Sequence, residues 1–274
     1  MKDNVYIIGD VHGCFNTLMA LVDKLPKDAE LIFVGDLIDR GPLSRKVIDF
    51  IRDNGYVSVQ GNHEEMMCSA IEDLIEYDAP LWNSPWVANG GNTVLEEYKD
   101  ISGKVDNQAL QKDYEYLLNL PKVYIDTKVT DEQGRKLLVT HTASGDIIDG
   151  YLEAVELVAN GITDEVTEHA MIDHEHRVSN NEMLMQWDRR VPQKIQTSYF
   201  NVFGHTPTDG WAYKDNVVGC VTNDYVIIDK VKGFANIDTG CVYHSDDYGP
   251  YRGKMTAIHF PTLEVTQQEN IDVF

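Results

Sequence analysis

The sequence predicts an α/β fold in which two β-sheets pack face to face, a β-sandwich flanked by helices. Two observations predict it. Over residues 5–75, three strand–helix units follow one another, and each strand runs into a Gly followed at once by Asp, Asp or Asn. In the last quarter the pattern turns to short apolar runs, so helices concentrate early and strands late. Successive strand–helix units imply parallel strands joined by right-handed crossovers. In open sheets of that kind, ligands sit at the carboxyl ends of the strands.

The elements follow in order. Val5 to Ile8 reads as a buried strand ending in Gly9-Asp10-Val11-His12-Gly13. Leu18, Leu21, Val22 and Leu25 then fall on one helical face, and Pro26 closes that helix. Leu31 to Val34 is the second strand and leads into Gly35-Asp36-Leu-Ile-Asp39-Arg40-Gly41. Pro42 opens a helix with Val47, Ile48 and Ile51 inward and Gly55 as its stop. Tyr56 to Val59 is the third strand and runs into Gly61-Asn62-His63-Glu64. A third helix follows, with Met66, Met67, Ala70, Ile71, Leu74 and Ile75 on its inner face.

The middle of the chain is less regular. Trp82, Trp86 and Asn89 to Asn92 read as a loop segment outside the core sheet, where aromatic residues pack or wall a groove. Leu110, Tyr114, Leu117 and Leu118 suit a helix stopped by Pro121. Val123–Val129 and Lys136–Thr140 read as a strand pair around a turn, with His141 at its end. Tyr151 to Val158 reads as a helix. Residues 162–198 carry little pattern and are expected as loops and short helices forming a lid insertion. Strands are expected at Tyr199–Phe203 (running into Gly204-His205-Thr206), Tyr225–Ile228, Phe234–Ile237, Met255–Phe260 and Leu263–Val265, with Asp238-Thr-Gly240 closing one of them.

Composition narrows the function. At 274 residues, 43% hydrophobic and 25% charged, the chain fits one globular domain over 1–274. With 45 acidic against 23 basic residues its formal charge is −22, which argues against nucleic acid or an anionic membrane as partner. No uncharged apolar stretch approaches the roughly 18 residues of a membrane helix, and no signal-peptide pattern opens the chain, so a cytoplasmic location is expected. Cys14, Cys68, Cys220 and Cys241 are scattered and are expected as reduced buried thiols.

The strand-end residues carry the chemistry. Asp36 and Asp39 lie beside Arg40 at one strand end, an arrangement costly to hold without compensation. A metal and a phosphate would compensate it, because carboxylates bind the metal and the planar Arg fork suits phosphate oxygens. Asp10, His12, Asp36, Asn62, His141 and His205 form a borderline-hard ligand set suited to Mn²⁺, Fe or Zn²⁺ rather than Ca²⁺. Six ligands exceed one open ion but serve two ions roughly 3.5–4 Å apart that share a carboxylate. Such a pair lowers the pKa of a bridging water and clamps the oxygens of an in-line displacement. Arg40 then holds phosphate oxygens, His63 protonates the leaving oxygen, and Asp39 keeps His63 protonated.

Taken singly, each residue has a plainer reading: Asp10 as a helix cap, the others as satisfied turn residues. The cluster of His169, His174 and His176 sits in a polar, unpatterned setting and reads as solvated. The blocks Gly9 to Gly13, Gly35 to Gly41 and Gly61 to Glu64, in that order, resemble the signature of the calcineurin-like metallophosphoesterases. More closely they resemble the Ser/Thr phosphatases of the phosphoprotein phosphatase family and their bacterial and phage relatives. With His141 and Gly204-His205-Thr206 the resemblance spans nearly the whole chain. It implies two divalent ions, most often Mn²⁺. Asp10, His12 and Asp36 would hold the first, and Asp36 would bridge to a second completed by Asn62, His141 and His205. It also implies His63 as general acid, Asp39 as its partner, and Arg40 as phosphate clamp. A second clamp arginine falls in Trp187-Asp-Arg-Arg190, with Arg189 favoured over Arg190. The sequence departs from the family at His141-Thr-Ala-Ser, where His-Ala-Gly is frequent.

The expected function is hydrolysis of a phosphomonoester on a phosphoprotein or phosphopeptide, mainly phospho-Ser/Thr and also phospho-Tyr. The alternative within catalysis is symmetrical hydrolysis of diadenosine tetraphosphate, whose enzymes resemble the same blocks, including Gly9 to Cys14. A third reading is a catalytically inactive binding module, which usually lacks a ligand or the acid, and this sequence keeps them all.

Overall fold

A computed structural model describes residues 4–77, 80–160, 168–190, 192–208, 221–223, 226–243 and 253–273. Strands β1 (Val5–Ile8), β2 (Glu30–Phe33) and β3 (Val57–Ser58) run parallel, as the strand–helix repeat predicts. Two late strands, β10 (Lys254–Phe260) and β11 (Val265–Glu269), extend this sheet antiparallel beyond β1, giving the order β11-β10-β1-β2-β3. The second sheet has the order β4-β5-β6-β9-β8-β7. Its strands are β4 (Val123–Thr130), β5 (Lys136–Thr140), β6 (Tyr199–Phe203), β7 (Val221–Asn223), β8 (Val226–Asp229) and β9 (Phe234–Asn236). Its central three, β5, β6 and β9, are again parallel.

Strand alternation explains the layers. Val5, Ile7, Ile32 and Val34 face the second sheet and meet Leu137, Val139, Phe200, Val202, Ala235 and Ile237 in one buried cluster. The intervening Ile8 and Phe33 face the other way, onto the helices. Those helices are α1 (Phe15–Val22), α2 (Ser44–Asn54), α3 (Asn62–Tyr77), α4 (Asn92–Glu97) and α5 (Asn107–Leu118). Being buried on both faces, β1 and β2 read as unbroken apolar runs. On the outer face of the second sheet, Leu138 packs with Ile148 and Tyr151 of α6 (Ile148–Asn160) and Met185 of α7 (Glu168–Trp187). Among the described residues, no helix is long and apolar enough to cross a membrane.

Several sequence expectations are corrected. Residues 168–187 form one 20-residue helix, α7, rather than loops and short helices. Its apolar residues are spread around its circumference, so no stripe announces it. The segment expected as a loop instead holds a π turn at Val87–Gly91, kinked at Gly90 (φ 111°), and the start of α4. Ile75, expected on the inner face of α3, is 65% exposed in that helix's last turn, and Leu118 of α5 is exposed while its neighbour Leu117 is buried. Leu263 precedes β11 in a left-handed conformation instead of starting that strand. Gly55 ends α2 in the left-handed conformation expected of it. Cys14, Cys68 and Cys241 are free and buried. Cys220, Tyr225 and the side chains of Trp82, His169 and His174 lie outside the described residues, and His176 is exposed.

Candidate active site

Two parallel triplets, one per sheet, point their carboxyl ends at a common rim. Asp10 follows β1, Asp36 follows β2, and Asn62 opens α3 just after β3. From the second sheet His141 follows β5 and His205 follows β6. Residues up to 195 positions apart thereby touch: the His205 backbone N–H donates to Asp10 Oδ2 at 3.1 Å.

The loops that deliver these side chains are tightly bent. His12 (φ 48°), Asp36 (φ 49°), Asp39 (φ 73°), Arg40 (φ 67°) and His205 (φ 69°) are all left-handed non-glycine residues. Each such residue costs on the order of 1–3 kcal/mol, a cost that persists only where surrounding contacts fix it. Glu64 supplies many of those contacts. Its buried carboxylate accepts the backbone N–H groups of Asp36 (2.9 Å), Leu37 (2.8 Å) and Gly61 (2.8 Å), tying two of the loops together. Burial and the neighbouring Asp36 charge push the Glu64 carboxyl up to about 7.

Two groups of side chains that could hold a metal ion share one residue. His12, Asp36 and His63 form one, and Asp36, His141 and His205 the other, all buried. Asp36 Oδ2 lies 3.6 Å from His12 Nε2, and Asp36 Oδ1 lies 3.3 Å from His141 Nε2. One carboxylate oxygen thus faces each group. Asn62 Oδ1 sits 2.9 Å from His141 Nε2 and 2.8 Å from His205 Nδ1. The ring nitrogen that His205 turns to the other donors is Nδ1, which also lies 3.1 Å from His141 Nε2. Imidazole nitrogens, an amide oxygen and a carboxylate converging this closely are what a divalent transition metal satisfies.

The tautomers agree with that fit. His12 Nδ1 lies 3.0 Å from the Ile38 carbonyl and His141 Nδ1 lies 2.8 Å from the Val34 carbonyl. A carbonyl can only accept, so in both rings Nδ1 carries a proton and Nε2 is the nitrogen that faces the site. Burial pushes His141 down, but the Asp36 charge and hydrogen bond outweigh it and raise it to about 10. Asp36 therefore imposes a field that attracts positive charge. Burial would raise Asp36 itself, yet the His141, His63 and His12 rings hold it well below the usual carboxylate range. Burial, followed by His141, brings His205 down to about 3, a ring that is neutral and available as a ligand.

His63 is held from its far side. Its Nδ1 lies 2.6 Å from Asp39 Oδ2, and the Trp86 indole N–H donates to Asp39 Oδ1 at 2.7 Å. The Arg40 guanidinium lies between the His12 and His63 rings, with Nη1 2.7 Å from His12 Nε2 and Nη2 2.9 Å from His63 Nε2. The π turn cradles Arg40: its backbone N–H donates to the Gly90 carbonyl, and a Cβ at Gly90 would come within 2.8 Å of Arg40 Cγ. Above them opens a cleft of 100 Å³ lined by His12, Asp36, Arg40, Asn62, His63 and His205. Arg189 lines it too and donates to Thr206 Oγ1 at 3.4 Å. Arg190 instead pairs with Asp188 at 2.5 Å and is largely exposed.

Three contributors went unassigned in the sequence. Glu64 was visible only as the last residue of its block. Trp86 lay in a segment expected as a loop, and nothing local ties it to Asp39, 47 positions away. Asp238 follows β9 as the other strand-end acids follow their strands, so that parallel could have found it. It is buried, lines the cleft, and is pushed by burial up to about 6.

The chain is 27% identical to a bis(5'-nucleosyl)-tetraphosphatase PrpE [asymmetrical] of Anoxybacillus flavithermus over 94% of this chain and 91% of that protein. It is 37% identical to serine/threonine-protein phosphatase 1 of Salmonella typhimurium, but over only 32% of this chain and 39% of that one. A solved metallophosphoesterase from Sphaerobacter thermophilus aligns over 98% of this chain and 89% of its own, at 18% identity and a TM-score of 0.46. The family model described as calcineurin-like phosphoesterase matches residues 4–231, and the chain belongs to that family of metal-dependent phosphoester hydrolases.

Proposed function

We propose that the protein hydrolyses dinucleoside tetraphosphates at a pair of divalent ions, Mn²⁺ being the first to test. The observation that carries the hydrolytic part is Asp36, whose two carboxylate oxygens each face a separate cluster of imidazoles. The substrate class is supported by relatives named bis(5'-nucleosyl)-tetraphosphatase that align over nearly the full length of both chains. This departs from the expectation of a phosphoprotein substrate.

Bound ions supply Lewis-acid charge at phosphorus and an activated water. Asp10, His12 and Asp36 would hold the first ion, and Asp36, Asn62, His141 and His205 the second. Arg40 and Arg189 bind the phosphate oxygens from the cleft walls. His63 delivers a proton from Nε2 to the departing phosphate oxygen, and Asp39 stabilises the imidazolium through Nδ1. Trp86 orients Asp39, and Glu64 fixes the loop backbone on which Asp36 stands.

The test incubates the Mn²⁺-loaded protein with diadenosine tetraphosphate and separates the nucleotides. ATP and AMP in equal amounts are expected, the cleavage pattern of the relatives' name. Two ADP per substrate would establish the symmetrical reaction instead. A second reading, a protein phosphatase, has its own support in the 37% identity over 92 aligned residues. Faster turnover of a phosphoserine or phosphothreonine peptide at matched concentration would decide for it. Absence of transition metal and of turnover on either substrate would revive the inactive binding module.

A further inference from the structure

The cleft has a polar floor and an aromatic rim. Trp187 is the last residue of α7, and it is 42% exposed although the two residues before it, Met185 and Gln186, are buried. It lines the same cleft as Arg40 and Arg189, with Tyr243 also in the wall. The indole thus offers an accessible flat aromatic face beside two guanidinium groups in the cleft wall.

The helix end that carries it is fixed from two sides. Gln186 Nε2 donates to Gln60 Oε1 at 2.9 Å, just before the Asn62–His63 turn. On the other side the Thr142 backbone N–H donates to the Met185 carbonyl at 3.1 Å, and Thr142 Oγ1 donates to the Leu184 carbonyl at 2.7 Å. Thr142 directly follows His141. The indole is therefore positioned by the same loops that position the metal-ligating residues. A rigid aromatic face loses little freedom when it binds, which makes it a preorganised surface.

We infer that Trp187 is the stacking platform for a nucleobase of the substrate, with Arg189 holding the phosphates next to it. The inference rests on the dinucleotide reading above and names where the base goes. A phosphate on a peptide side chain needs only the floor of the cleft. A nucleotide presents a planar base beyond its phosphates, and every base has a π-face that an indole can take.

Titration with AMP, ribose 5-phosphate and inorganic phosphate, followed by tryptophan fluorescence, tests it directly. AMP is expected to quench the wild type well beyond ribose 5-phosphate, and Trp187→Phe is expected to lose that extra quench. In turnover, Trp187→Ala should raise the KM for diadenosine tetraphosphate roughly 5- to 150-fold, the range that loss of one base stack implies. Its effect on the KM for p-nitrophenyl phosphate should be several-fold smaller, and Trp187→Phe should recover most of the loss. Equal quenching by ribose 5-phosphate, extra quench that survives in Trp187→Phe, or equal KM changes for both substrates would overturn the inference. If the wild type hydrolyses no dinucleotide, the substrate reading fails, while the AMP titration still decides whether a base binds at Trp187.

Discussion

At the scale of single residues, the site depends on side chains that hold other side chains. Asp39 is fully buried and keeps company with one imidazole and one indole. Burial pushes its carboxyl up, and the hydrogen bonds from His63 and Trp86 work against that. Trp86→Phe removes one of the two donors, so the carboxylate is less well stabilised and its hold on the His63 ring weakens. The expected result is a fall in kcat of about tenfold, the equivalent of roughly 1.4 kcal/mol, with metal content unchanged. His63→Asn should lower turnover far more, by roughly 10²–10⁴-fold, as loss of a general acid does. Its bound metal, measured by atomic absorption, should stay near the wild-type level. Because His63 Nε2 lies only 3.9 Å from Asp36 Oδ2, metal loss in that variant would instead make His63 a ligand. Asp36→Asn should weaken both ions together, and a variant keeping one tightly bound ion would count against the bridge.

At the scale of elements, the helices and strands matter for what their ends approach. Gly204, between β6 and His205, shows how close the approach is. A Cβ there would lie 1.9 Å from Asp10 Oδ1 and 2.9 Å from Val34 Cγ2. Gly204→Ala should leave the far-ultraviolet circular dichroism intact while displacing Asp10, and activity should drop by at least tenfold with loss of the first ion. Wild-type metal content in that variant would show that Asp10 is not needed as a ligand. The helix that follows the first metal loop is capped from across the chain. Asp272, 2% exposed, accepts the backbone N–H groups of Asn16 (3.1 Å) and Thr17 (2.9 Å) at the start of α1. Losing that cap by Asp272→Ala should cost about 1–2 kcal/mol in urea unfolding, in the range of other helix caps.

At the scale of the whole molecule, imidazoles and carboxylates that only folding brings together would make metal binding and folding one equilibrium. Ligands that bind only the folded chain stabilise it by mass action, about 2.7 kcal/mol at a hundredfold excess over Kd. EDTA treatment should therefore abolish hydrolysis and lower the Tm by several degrees, and Mn²⁺ should restore both. An unchanged Tm with full activity in metal-stripped protein would rule out the metal-dependent mechanism.

Much of this protein was legible in the sequence by itself. The Gly-Asp, Gly-Asp and Gly-Asn endings of β1, β2 and β3 are local facts, because an apolar run buried on both faces must finish in a turn before polar groups can follow. That pattern pointed to Asp10, His12, Asp36, Asn62 and His63, and the strand ends at His141 and His205 completed the candidate ligand set. Tertiary structure decided the rest. The helix α7 has no apolar stripe, so it exists through packing on α6 and through bonds to the loops at Gln60 and Thr142. Trp86 meets Asp39 across 47 residues and Asp272 reaches Thr17 across 255, and no local pattern encodes contacts of that separation. Sequence specifies which residues stand at strand ends, since burial and turning are local demands. Which of those ends meet, and what braces them, depends on how two sheets lie against each other, and only the packed chain sets that.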